Sequence, residues 1–204
     1  MSRRPYLDWL RGIAVLIMIE GHTLDAWTRL DDRGSVVYRW AIVVAGFGAP
    51  VFLFLAGITL ALAAGSRYRK GQTTGQVART ATRRGLWILL LGFLFRAQSW
   101  AISGGRFASL LKVDILNIMG VSMIAAAARW WGGGTLAWRT AAFAAATVAV
   151  AMATPLVRDA AALAAVPDPL EWYLRRPPGS TAFTLFSWLG FLTAGAAVGL
   201  WLDR

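Results

Sequence analysis

The chain has 204 residues, 57% hydrophobic and only 15% charged, which is too apolar for an ordinary soluble domain and reads as an integral membrane protein. Its net charge of +11 comes with clustered arginines, which in such a chain report topology and argue against a nucleic-acid partner. The absence of Cys and the single His exclude disulfides, a thiol nucleophile and a thiolate or His-rich metal site, so no metal is expected.

The opening "MSRRPYLDWLRGIAVLIMIEGHT" has the basic start and apolar core of a signal peptide. It lacks a small-x-small cleavage site and is interrupted by Asp8, Arg11 and Glu20, so it reads as a retained first membrane helix. Apolar segments near 7–24, 39–64, 85–103, 113–129, 137–157 and 181–202 follow one another, each suited to a hydrocarbon layer about 30 Å thick. The expected fold is an all-α polytopic bundle of about six helices in one domain over 1–204. Pro50 in "GFGAPVFLF" is expected to kink or break the second segment. Between the second and third segments stand Arg67, Arg69, Lys70, Arg79, Arg83 and Arg84 with no acid among them. The positive-inside rule puts them in the cytoplasm, with Arg3 and Arg4 and both chain ends. Residues 25–34, with Asp25, Asp31 and Asp32 against Arg29 and Arg33, face outward. So does the irregular 158–180 stretch with Pro167, Pro169, Pro177 and Pro178. Gly57, Ala61 and Gly65, and likewise Gly195 and Gly199, recur four apart and predict close helix contacts. The tryptophans fall mostly at membrane boundaries, as an interfacial belt does.

The ionisable residues of the first segment need a reason. Arg11 and His22 are eleven apart, so on a helix they return to within about 20° of one face, about 16 Å apart along the axis. Asp8 is an i,i+3 partner for Arg11, Asp25 for His22, and Glu20 points elsewhere. Charges in lipid cost several kcal/mol, which predicts that this stripe faces the bundle interior or a wet cavity and that the first helix is central. His22 has the chemistry of a general base, oriented by an Asp on its other nitrogen. The alternative is that Arg11 and His22 snorkel to the two headgroup layers. Arg96 can bind an acceptor carboxylate, pair with Asp114 or snorkel. Asp114 and Asn117, one turn apart, can hydrogen-bond a sugar, support His22 or serve a helix start.

The Arg and His spacing in "LDWLRGIAVLIMIEGH" resembles the opening of polytopic membrane acyltransferases, both the acyltransferase-3 type and the heparan-α-glucosaminide N-acetyltransferase-like catalytic domains. "APVFLFLAGITLAL", "RRGLWILLLGF", "VDILNIMGVSMI" and "LFSWLGFLTAGAAVGLWLD" are similar to later helices of the second group, in order and over most of the chain. The resemblance implies transfer of an acyl group, commonly acetyl, from a cytosolic acyl-CoA such as acetyl-CoA to a sugar hydroxyl or amine across the membrane. It implies that Arg11 and His22 match the paired Arg and His, with His22 as base or transient acyl carrier. The heparan acetyltransferase carries its proposed catalytic His in the following loop, where this chain has none, and Ser187 stands where many relatives have proline. Complete enzymes of these kinds carry more helices, which implies a short variant or an N-terminal portion.

The expected site therefore comprises His22 with Asp25 and Asp114 for catalysis, Arg11, Arg79 and Arg83 for the donor's phosphates, and Arg96 and Asn117 for the acceptor. Expected partners are acyl-CoA, a glycan or amino sugar and the lipid bilayer, with a homo-oligomer left open, in a multi-pass protein of the bacterial inner membrane. Two other functions fit the residues. One is a transporter-like bundle whose Arg11, Glu20, His22, Arg96 and Asp114 line a proton or substrate path. The other is a non-catalytic cell-envelope subunit.

Overall fold

The computed structural model describes residues 4–176 and 183–203. Arg3, Pro177, Pro178 and the first residues of the predicted 181–202 segment lie outside them. All six predicted segments form helices. They are α1 (Pro5–Trp27), α2 with α3 (Val36–Gly46 and Gly48–Arg69), α4 (Thr74–Ser103), α5 (Ile115–Trp131), α6 (Leu136–Arg158) and α8 (Leu185–Leu202), with a short α7 (Asp168–Leu174) before the last. By length and composition, Val36–Arg69, Thr74–Ser103, Leu136–Arg158 and Leu185–Leu202 can each cross a membrane. At 17 residues α5 is shorter, and the apolar run of the continuous helix α1 is punctuated by Asp8, Arg11, Glu20 and Asp25.

Local sequence explains where these helices begin. The bend between α2 and α3 falls at Phe47, before Pro50, so that the proline occupies the first turn of α3, where its missing N–H is not needed. α4 starts earlier than the apolar pattern implies because Thr73 and Gln76 form a capping box, with Thr73 Oγ1 accepting from Gln76 N at 3.3 Å and Gln76 Oε1 from Thr73 N at 2.9 Å. Arg79, Arg83 and Arg84 thus ride on a helix and not in a loop. At the start of α8, Phe186 and Ser187 leave helical geometry, and Ser187 takes a positive φ of 74°.

Close backbone contact sets the core. A Cβ on Gly57 would collide with the Leu192 carbonyl, and one on Gly195 with the Phe54 carbonyl, so α3 and α8 pack main chain against main chain as the glycine spacing predicts. α4 and α5 meet in the same way at Gly85 and Gly120, whose added Cβ atoms would each come within 2.9 Å of the other's carbonyl oxygen. Leu53, Leu60, Met119, Met123, Trp130, Leu192 and Leu200 fill the space between these pairs.

The first helix is not central. α1 lies against α2 and α3, burying only Leu7 and Ala14 and contributing Leu7 to a small cluster with Leu55, Ile58 and Leu62. Its far side exposes Leu10, Ile13, Leu16, Ile19 and Trp9, the last at 73%. Two seats, Leu7 and Ala14, are too few to hold a helix in the middle of a bundle. The start of the chain and the ends of α3 and α8 share one end. Arg4 Nη2 donates to Leu202 O at 3.0 Å, and Arg69 holds Asp203 through two bonds of 2.9 Å. This end also carries Arg67, Arg79, Arg83 and Arg84.

Candidate functional site

A cavity of about 330 Å³ opens between α1, α3, α4 and α5. Arg11 of α1 and Arg84 of α4 reach it from two helices, Phe52, Ala56 and Thr59 line it from α3, and Met119 and Met123 from α5. The Arg11 guanidinium stands 3.8 Å from Asp8 Oδ1, the i,i+3 pairing that the spacing predicts, although that distance makes the attraction weak. The Thr59 hydroxyl donates back to the α3 carbonyls of Leu55 and Ala56, which leaves its oxygen as an acceptor. Two guanidinium groups above a polarisable methionine wall can hold an anionic group whose remainder is apolar.

Of the cationic stretch 67–84, sequence favours Arg79 and Arg83 as donor contacts, but Arg84 is the residue that lines this cavity. Val77, Ala81, Arg84 and Ile88 succeed one another at intervals of four, three and four, so Arg84 follows the buried stripe of α4 to the cavity edge although it is itself exposed. Arg79 and Arg83 sit on its other side, exposed, and line none of the cavities described here.

At the opposite end, Arg96 Nη2 of α4 pairs with Asp114 Oδ2 at 3.0 Å. Asp114 caps α5, its Oδ1 accepting from Ile115 N at 2.6 Å, and Asn117 Oδ1 accepts from Asp114 N at 3.0 Å. Of the functions open to Asp114 and Asn117, the structure realises the helix start and the Arg96 pair. Asn117 is 0% exposed, and its Nδ2, like Arg96 Nε, is buried with no hydrogen-bond partner among the described residues. Tyr173 of α7 lies beside Asn117, and burial pushes its hydroxyl above the ordinary tyrosine range, so it remains a proton donor at neutral pH. α7 is anchored by buried Glu171, which takes a 2.6 Å bond from Arg175 Nε. Nearby, Arg158, Arg175, Arg176 and Ser187 line a second cavity of about 300 Å³, which composition and spacing did not reveal because its walls come from three separate stretches.

His22 is exposed near the end of α1 and makes no side-chain hydrogen bond among the described residues. The helix does continue through Asp25, but Asp25 is taken by Arg33, which pairs with its carboxylate at 3.3 Å and also binds its main-chain oxygen. The structure therefore brings Arg96, Asp114 and Asn117 together, and Arg11 with Arg84, and joins neither Asp25 nor Asp114 to His22. No group of three or more His, Cys, Asp or Glu among the described residues could hold a metal ion.

The family model described as "Heparan-alpha-glucosaminide N-acetyltransferase, catalytic" matches residues 3–204. The chain belongs to this family. No curated protein and no solved structure matches it. Membership in an acetyltransferase family, combined with four apolar helices of membrane-spanning length, makes this an integral membrane protein of acetyltransferase type.

Proposed function

We propose that the chain transfers an acetyl group from acetyl-CoA to a sugar hydroxyl or amine on the opposite side of the membrane. The observation that carries this reading is the cavity between α1, α3, α4 and α5, where Arg11 and Arg84 converge over Met119 and Met123 in a chain of an acetyltransferase family. The arginine-rich end faces the cytosol by the positive-inside rule. There, exposed Arg79 and Arg83 draw in the polyanionic donor, and Arg11 and Arg84 hold its phosphates. The pantetheine arm then runs along α1 towards His22, about 16 Å further along the same stripe.

The acceptor oxygen or nitrogen attacks the thioester carbonyl carbon. A new bond to the acetyl group forms as the carbon–sulfur bond breaks, the acceptor's proton passes to the His22 imidazole, and the CoA thiolate leaves and is protonated in turn. Positioned proton transfer of this kind contributes about 10² to 10⁴-fold, and holding both substrates together supplies the rest. Asp25 and Asp114 support the site indirectly, Asp25 by fastening the α1–α2 connection through Arg33 and Asp114 by tying α4 to α5. Arg96 and Tyr173 offer donors to the acceptor's oxygens, and fully buried Asn117 holds Asp114 in place beside them.

The test is transfer from radiolabelled acetyl-CoA to a panel of amino sugars by protein in nanodiscs, comparing wild type with His22→Ala, Arg11→Gln and Arg84→Gln. The expected result is loss of turnover in His22→Ala with donor binding intact, and weakened donor binding in both arginine variants. Full turnover in a folded His22→Ala protein would remove the histidine from the mechanism.

A further inference from the structure

At the arginine-rich end, two guanidinium groups converge without a carboxylate between them. Arg129, near the end of α5, and Arg139, at the start of α6, both donate to the Gly133 carbonyl, at 3.1 and 3.4 Å. Arg139 is only 8% exposed and lies 4.7 Å from the centroid of the Tyr68 ring. Neither arginine has an ion pair among the described residues, and Asp203, at the same end, is held by Arg69. Arg129 Nη2 and the Tyr68 hydroxyl are buried with no hydrogen-bond partner among those residues. Like charges sharing one carbonyl, one of them in the interior, repel each other and lose hydration unless an anion compensates them.

Beside them, between α5 and α6, opens a cleft of about 450 Å³. Its walls are methyl groups of Ala125, Ala128, Ala142 and Ala146 with the ring of Phe143, closed by Leu189 and Thr193 of α8, and Arg129 lines it while Arg139 does not. Ala125 and Ala128 are exposed on the surface of the bundle, so the cleft is open to the bilayer. A smooth apolar slot that includes a cation is complementary to one molecule with a hydrocarbon chain and an anionic head.

We propose that this cleft binds one anionic phospholipid, its phosphate on Arg129 with the charge of neighbouring Arg139 reinforcing it and an acyl chain along the alanine wall. The site is separate from the cavity of Arg11 and Arg84, and the proposal does not rest on the transfer reaction.

Native mass spectrometry of the whole chain, released from nanodiscs containing both phosphatidylglycerol and phosphatidylcholine, tests it. Wild type retains phosphatidylglycerol in preference to phosphatidylcholine. The Arg129→Gln/Arg139→Gln variant holds it about thirtyfold more weakly, the contribution expected of two basic side chains at an anionic lipid. Ala142→Phe, which fills the slot and leaves both arginines in place, lowers retention as well, and it decides the matter should the double variant fail to fold. Equal retention by wild type and Ala142→Phe overturns the proposal. In a parallel measurement, added phosphatidylglycerol raises the thermal unfolding midpoint of the detergent-solubilised protein. An equal rise with inorganic phosphate that disappears in the Arg129→Gln/Arg139→Gln variant identifies a site for soluble anions and also overturns the lipid assignment.

Discussion

Replacing Asp114 by Asn isolates the charge that ties α4 to α5 at the end opposite the arginine-rich one. Asn caps a helix as well as Asp does, so the start of α5 survives and only the ion pair is lost. At the observed 3.0 Å, the attraction is about 5 kcal/mol for an effective dielectric constant near 20. Both side chains are partly exposed, 26% for Arg96 and 21% for Asp114, so solvation and side-chain freedom offset most of it and a net coupling of about 1–2 kcal/mol is expected. Asp114→Asn alone costs more, about 2–3 kcal/mol, because Arg96 is left without a counter-charge while its Nε already has no partner among the described residues. The assay is a double-mutant cycle of Asp114→Asn, Arg96→Met and the pair, read by equilibrium unfolding in detergent. The double variant is expected to be more stable than the sum of the single losses predicts by about 1–2 kcal/mol. Strict additivity would refute the reasoning. In the transfer assay, Asp114→Asn should raise KM for the acceptor and leave KM for the donor unchanged, because Arg11 and Arg84 lie in a different part of the bundle.

Other outcomes follow from single contacts. Arg84→Gln should raise KM for acetyl-CoA by about ten- to a hundredfold, the loss of one charge-assisted contact worth about 1.5–3 kcal/mol, whereas Arg79→Gln on the exposed face should change it less than threefold. Titrating the donor against each variant distinguishes them. Gly195→Leu forces α8 away from the Phe54 carbonyl and should destabilise by at least about 3 kcal/mol, visible as a lower unfolding midpoint, while Gly34→Ala, with open space around it, provides the control. Ser187→Gly relieves a positive φ of 74° and should stabilise by about 1 kcal/mol, a gain that a thermal shift can register. Arg175→Gln strands the buried Glu171 carboxylate and should loosen α7, increasing proteolytic cleavage around residues 160–176 by about tenfold or more.

Much of the fold is legible in the chain because it depends on local patterns. Apolar length locates six helices, and four-residue glycine spacing marks the α3–α8 contact, since both follow from helix geometry and the thickness of a bilayer. The i,i+3 pair of Asp8 and Arg11 and the common stripe of Arg11 and His22 are legible for the same reason. The Arg96–Asp114 pair is among the options that sequence offers for Arg96 and the structure selects it, whereas the partnership of Asp25 is not legible, because only the approach of the following segment gives it to Arg33 and not to His22. Arg79, Arg83 and Arg84 look alike in composition, yet a rotation of about 100° per residue around α4 separates the one that enters the cavity from the two that remain outside. The tertiary structure also decides the position of α1. Its ionisable residues argue for the centre, but the backbone contacts of Gly57 with Leu192 and of Gly85 with Gly120 draw α3 to α8 and α4 to α5 so closely that these pairs take the middle, leaving α1 at the periphery against α2 and α3 with only Leu7 and Ala14 buried.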